Sequence, residues 1–167
     1  MRYLSVPLAL CLLGCSATVA VGQEIEPVGN LAEFMRGVLF PNSNILFDVQ
    51  STDPEEAGKK KEGEGASSTF SGIYKGWMVV EQAAIVLAEV EPLIMSAKRM
   101  CENGKPVPVN QEDYAAWARA LTDAGKEILA AARERDRDTV SDLTNTLAGA
   151  CEDCHTKYRR FEDRCRQ

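Results

Sequence analysis

The chain has 167 residues, the size of one ordinary domain, and its hydrophobic content of 45% is enough to build a core. Aromatic residues make up only 7%, while Ala and Leu are common, a mixture that favours helices over sheets. The formal net charge of −6 argues against a nucleic-acid partner, because phosphate binding requires clustered Lys and Arg.

The first residues have the pattern of an export signal. Arg2 is followed by an apolar run over residues 3–13, which is too short to span a bilayer. The small residues "AVG" predict a signal peptide over 1–22 and a mature domain over 23–167. Alternatively, "LLG" before Cys15 resembles a lipoprotein site, and lipidation there would attach the protein to a membrane. Either cleavage predicts export to the bacterial periplasm, an oxidising compartment in which cysteines can form disulfides.

The first predicted helix runs over about 30–49, where apolar residues recur with a helical period. Asn30 and Glu33 have the spacing of a capping box. Pro41 removes one backbone hydrogen bond and should kink the helix. The polar, Gly- and Ser-rich stretch over 50–72 has almost nothing to bury, and it predicts a mobile loop.

Three further helices are predicted. The second runs over about 73–100, and Pro92 should kink or split it. The third begins at a capping asparagine and runs over about 110–136, and the fourth runs over about 139–164. Four amphipathic helices with mostly short connections predict an all-α fold, an antiparallel four-helix bundle.

The segment "ACEDCHTKYRR", residues 150–160, carries the most specific motif. On a helix, Cys151, Cys154 and His155 project from one face within a single turn. The pattern Cys-x-x-Cys-His is that of c-type haem attachment, in which two thiols bind the vinyl groups and the histidine binds the iron. His155 is the only histidine of the chain. The motif therefore predicts one covalent haem c.

Three other interpretations of the two cysteines are weaker. A zinc site would need Cys151, Cys154, His155 and one distant cysteine, whereas zinc sites usually draw paired ligands from two places. A thioredoxin-like redox pair requires a βαβ context, and no strand is predicted. A disulfide between Cys151 and Cys154 would be strained on a helix.

The C-terminal motif resembles that of the cytochrome c′ family. In that family the haem motif closes the chain and is followed by an aromatic and a basic residue, here Tyr158 and Arg159. The stretch "LAEFMRGVLFPNSNILFDV" is similar to the first helix of a divergent branch that carries a proline and an "FD" or "WD" pair after the methionine. The resemblance implies a non-enzymatic monohaem protein that meets a redox partner protein. Relatives often form homodimers through helices one and two.

The resemblance also implies two functions, which differ in the ligand opposite His155. Low-spin relatives use a methionine of helix one and carry electrons, and Met35 occupies about that position. Cytochromes c′ proper are five-coordinate and bind NO or CO. Met35 could instead fill the core, as methionine on an apolar face usually does. Met78, Met95 and Met100 are weaker ligand candidates. A third interpretation is a helical lipoprotein without haem.

Arg159 and two further cysteines complete the candidates. Arg159 lies one turn after His155, where it either tunes the iron ligand or complements the helix C-terminus. Cys101 and Cys165 close helices two and four, which end at the same end of such a bundle. A Cys101–Cys165 disulfide is therefore expected in an oxidising compartment, and two free thiols are the alternative.

Overall fold

The computed structural model describes residues 26–56, residues 74–159 and Cys165. Within these ranges the chain forms five α-helices and no strand. The predicted signal peptide and most of the predicted loop over 50–72 lie outside the described residues. The helices are α1, in three continuous segments (Leu31–Phe34, Met35–Leu39 and Phe40–Asp48), α2 (Trp77–Ala88), α3 (Glu91–Ile94), α4 (Glu112–Arg133) and α5 (Arg137–Tyr158).

Helix α1 begins with the predicted capping box. The Glu33 amide donates to the Asn30 side chain at 2.9 Å, and the Asn30 amide donates to the Glu33 carboxylate at 2.8 Å. Near Pro41, where the sequence predicts a kink, the helix contains a π-helical segment, Met35–Leu39, which ends two residues before the proline. Because proline has no N–H and its ring crowds the carbonyl four residues back, this wider turn lets α1 continue through it.

The second predicted helix is much shorter than the range 73–100. Helix α2 ends at Ala88, and the short α3 follows with Pro92 in its first turn. Ala88 lies four residues before Pro92. In a continuous helix the proline ring would clash with the Ala88 carbonyl. The proline therefore splits the predicted helix, and its last residues are not helical: Met100 pairs with Pro106 in an isolated bridge.

The boundaries of the last two helices also differ from the prediction. Helix α4 begins at Glu112, two residues after the predicted cap, and ends at Arg133. Helix α5 begins at Arg137, after Asp136, whose side chain accepts a hydrogen bond from the Thr139 amide. It ends at Tyr158, and Arg159 is its C-cap residue.

The four long helices pack in a closed ring. Helix α1 contacts α2 and α5, α2 contacts α4, and α4 contacts α5. The turn between α4 and α5 is only three residues long, so these two helices run antiparallel. One core of aliphatic side chains fills the centre, including the completely buried Leu46, Leu87 and Leu147. The predicted all-α bundle is confirmed. No helix in the described part of the chain has the length and apolar character needed to cross a membrane.

Candidate functional site

A cleft of about 450 Å³ opens along one side of the bundle. Helix α1 forms one wall with Leu31, Met35 and Leu39, and α4 and α5 form the opposite wall. At the rim, Phe40 is 67% exposed, so the cleft reaches solvent beside a large apolar side chain. The wall of α4 and α5 includes the cysteines and the histidine of the motif. Its lining residues are Tyr114, Trp117, Ala118, Leu121, Ala150, Cys151, Cys154, His155 and Tyr158, followed by Arg159 after the end of α5.

Cys151, Cys154 and His155 project into this cleft from the last turns of α5. Both cysteines are free thiols and partly buried. Burial raises the pKa of the Cys151 thiol. Burial and, to a smaller extent, Cys151 and Asp113 raise the pKa of Cys154 to about 12. A thioredoxin-like pair requires a lowered thiol pKa, so the folded site has the opposite electrostatics.

His155 is half-buried in the same wall. Burial, and then the positive charge of Arg159, lowers the pKa of its imidazole below the ordinary value. A neutral imidazole has a free nitrogen lone pair, which is the form that binds a metal. Arg159 also lines the cleft, and its amide donates to the His155 carbonyl at 3.1 Å. Arg159 therefore lies at the end of α5 and also acts electrostatically on His155.

Met35 is the one described methionine that lines the cleft. It lies at the start of the π-helical segment, partly buried against the core. Of the weaker candidates, Met78 is 50% exposed and Met100 is 43% exposed. Met95 packs against the core but does not line the cleft. The fold thus brings Met35 and His155 to the same cavity from two different helices.

A hydrogen-bonded aromatic cluster supports the floor of the site. The Tyr158 ring meets the rings of Tyr114 and Trp117 edge-on, with centroids 5.3 and 5.9 Å away. The Tyr158 hydroxyl donates to Asp113 Oδ1 at 2.6 Å, and Lys157 Nζ pairs with the other oxygen of that carboxylate. The sequence reasoning missed Asp113, because Lys157 and Tyr158 lie more than 40 residues away and no local pattern marks it.

Cys101 and Cys165 are joined in a disulfide, with their Cα atoms 6.3 Å apart, and both line the cleft. This is the pair expected from the sequence. Because both sulfur atoms are in the disulfide, neither Cys101 nor Cys165 is free to be the fourth ligand of a zinc site at Cys151, Cys154 and His155. Within the described ranges, no group of three or more His, Cys, Asp or Glu side chains could hold a metal ion by itself.

The residues of the cleft fit a covalently attached haem. Two thiols and one imidazole lie within about one turn of α5, and together they are the donor set of c-type attachment. The remaining lining is largely aliphatic and aromatic, as a flat apolar macrocycle requires. Met35 supplies a thioether from α1, the wall opposite His155. Cys151 and Cys154 would hold the porphyrin covalently, and His155 would bind its iron.

Comparison with known proteins gives one finding. Residues 105–159, which include α4 and the Cys-x-x-Cys-His motif, match the family model for cytochrome c′. Searches of curated proteins and of solved structures find no significant match. Proteins of the matched family are four-helix bundles that carry covalently bound haem c, are generally not enzymes and are typically periplasmic.

Proposed function

The match to residues 105–159 supports a cytochrome c′-like family for this chain, and from that premise we propose that it is an exported monohaem electron carrier. Its iron would be held by His155 and Met35. The observation that carries this proposal is that Met35 lines the same cleft as Cys151, Cys154 and His155. Methionine opposite histidine is the axial pair of electron-transferring c-type cytochromes and raises the reduction potential.

The bound haem would supply a single iron that alternates between the ferric and ferrous states. The protein's own part is to hold and shield this group. Cys151 and Cys154 would anchor it to α5, and the half-buried imidazole of His155, whose pKa is lowered, would bind the iron in its neutral form. Water is kept away from the wall of α4 and α5 by three aromatic rings, those of Tyr114, Trp117 and Tyr158.

The rim of the cleft is suited to a protein partner that binds with low affinity. Phe40 is 67% exposed there, and the Arg36 side chain beside it is 63% exposed and pairs with Glu102 at 3.4 Å. An exposed apolar residue bordered by charged groups is a suitable contact for a brief encounter, and complexes of redox proteins bury little surface. We therefore propose that the redox partner docks at the rim.

The first test is the optical spectrum of the exported holoprotein and of two variants. We expect a low-spin wild type with the far-red sulfur-to-iron band, because Met35 completes the iron coordination. Met35→Leu should become high-spin and lose that band, because leucine has the shape but no sulfur. Met95→Leu is the matched control, since Met95 is also partly buried but lies outside the cleft.

Two results would contradict the proposal. A high-spin wild type, unchanged by Met35→Leu, would show that Met35 only fills the core. The five-coordinate alternative, which binds NO or CO, would then hold, and CO should shift the ferrous spectrum of the wild type. A colourless protein, from a host able to attach c-type haem, would rule out both functions.

A further inference from the structure

Arg99 is a buried cation close to the cleft. It lies in the non-helical segment between α3 and α4, and only 3% of the residue is exposed. Taking a guanidinium out of water is costly, so buried arginines are usually paired with a carboxylate. Within the described part of the chain, no carboxylate forms an ion pair with Arg99.

Neutral groups hold the Arg99 guanidinium in place. Nε donates to the Leu93 carbonyl at 3.0 Å, and Nη1 donates to the Gly29 carbonyl at 2.7 Å. The guanidinium carbon lies 4.5 Å from the centroid of the Phe34 ring. Carbonyl dipoles and a ring face lower the cost of burial but carry no net charge. Among the residues that the structure describes, none therefore compensates the positive charge of Arg99 with a carboxylate.

This charge acts on the wall of the cleft. Phe34 directly precedes Met35, and Leu93 directly precedes Ile94, which lines the cleft. Tyr114, also a lining residue, donates its hydroxyl to the Ile94 carbonyl at 3.1 Å. Burial raises the pKa of Tyr114, and the charge of Arg99 acts in the opposite direction. Arg99 thus lies within electrostatic range of a group that lines the cleft.

We infer that Arg99 is a positioning and tuning residue, a fixed buried cation that raises the reduction potential of the haem held in this cleft. The inference rests on the proposed function. When the iron accepts one electron from the redox partner, the charge of the iron site falls by one. A nearby positive charge in a poorly solvated interior favours the less positive, ferrous state. Burial and an uncompensated charge both strengthen that effect.

The test is the midpoint potential of the holoprotein, measured by spectroelectrochemical titration. Arg99→Gln removes the charge but keeps a donor for one of the two carbonyls, and its potential should shift to a more negative value. Arg99→Lys keeps the charge and should restore a potential close to that of the wild type. Arg119→Gln is the control, because Arg119 is exposed on α4 and lies outside the cleft. Its potential should not change.

A second pair of variants tests the charge without removing Arg99. Phe34→Glu would place a carboxylate against the guanidinium, and Phe34→Gln is its neutral control. We expect Phe34→Glu to have the more negative potential of the two. This comparison decides the question where Arg99→Gln does not yield a folded holoprotein.

Three results would overturn the inference. One is an unchanged potential in Arg99→Gln. Another is an equal negative shift in Arg99→Gln and Arg99→Lys, accompanied by a change of spin state, since Arg99 would then only hold α1 in place. The third is equal potentials for the two Phe34 variants. All three require a wild type that carries haem, whereas failure of the proposed function would appear in the wild-type spectrum itself.

Discussion

Asp113 shows how one side chain connects the two helices of the cleft wall. Its carboxylate accepts hydrogen bonds from the Tyr158 hydroxyl at 2.6 Å and from the Tyr114 amide at 2.8 Å, and it pairs with Lys157. Asp113 lies in the first turn of α4, while Lys157 and Tyr158 end α5. These contacts therefore hold the start of α4 against the end of α5, within a few residues of His155.

We expect Asp113→Asn to lower the melting temperature of the holoprotein at pH 7 by a few degrees. The hydrogen bonds from Lys157 and Tyr158 lower the pKa of Asp113 below its ordinary value of 3.8. A lowered folded-state pKa stabilises the fold above that ordinary value, and the contribution is lost as the pH falls through the folded-state pKa. The difference between wild type and variant should therefore close as the pH falls below 3.8 and through the lowered folded-state pKa of Asp113.

Circular dichroism melts of both proteins at pH 7 and at low pH provide the measurement. Asp142→Asn, an exposed position on α5, is the control and should match the wild type throughout. A difference that persists unchanged at low pH would show that the Asp113 charge does not cause it.

The residues of the site differ in how far sequence reasoning could find them. Cys151, Cys154 and His155 were predicted because their chemistry depends on spacing within one helical turn. Met35 required the resemblance to low-spin relatives, because a methionine on an apolar face has no distinguishing local pattern. Asp113 and Arg99 were missed, since the contacts of Asp113 with Lys157 and Tyr158, and of Arg99 with Gly29, join segments more than 40 residues apart.

Helices α2 and α4 approach each other closely at Gly125. A Cβ atom added there would lie 2.6 Å from the Ala88 amide nitrogen and 2.8 Å from the Leu87 carbonyl carbon. Both are backbone atoms of α2, which cannot move aside as a flexible side chain could. The absence of a side chain at Gly125 thus allows α2 to pack against α4.

We expect Gly125→Ala to lower the free energy of unfolding by about 2 kcal/mol, because overpacked interiors distort the backbone. Gly149→Ala is the matched control, since Gly149 is also inside a helix but a Cβ there meets nothing within 4 Å. The control should stabilise the protein by roughly 0.5–1 kcal/mol, because alanine loses less backbone entropy in a helix. Urea unfolding of the holoproteins measures both. Equal effects of the two substitutions would show that α2 and α4 can separate freely here.

At the level of helices, sequence reasoning located the elements better than their ends. The helical periodicity and the capping box of Asn30 correctly indicated where α1 lies. The range of the second predicted helix was wrong because apolar residues continue past Pro92, although the proline ends α2 at Ala88. The π-helical segment before Pro41 was not foreseen, because it depends on how α1 accommodates the proline against its neighbours.

For the whole molecule, the Cys101–Cys165 disulfide connects both walls of the cleft. The Met100 carbonyl next to Cys101 accepts a hydrogen bond from the Leu31 amide at 2.8 Å, at the start of α1. On the other side, the Cys165 amide donates to the Tyr158 carbonyl at 3.1 Å, at the end of α5. The disulfide therefore links the helix that carries Met35 to the helix that carries His155.

We expect the double variant Cys101→Ser/Cys165→Ser to lose about 4 kcal/mol of unfolding free energy. The disulfide spans a sequence separation of 64 residues, and a closed loop of that length limits the entropy of the unfolded chain. Urea unfolding of the holoprotein measures the loss. The wild type treated with a thiol reductant should match the double variant, because thioether bonds to haem are not reduced under these conditions. Identical unfolding of oxidised wild type, reduced wild type and double variant would show that this cross-link does not stabilise the bundle.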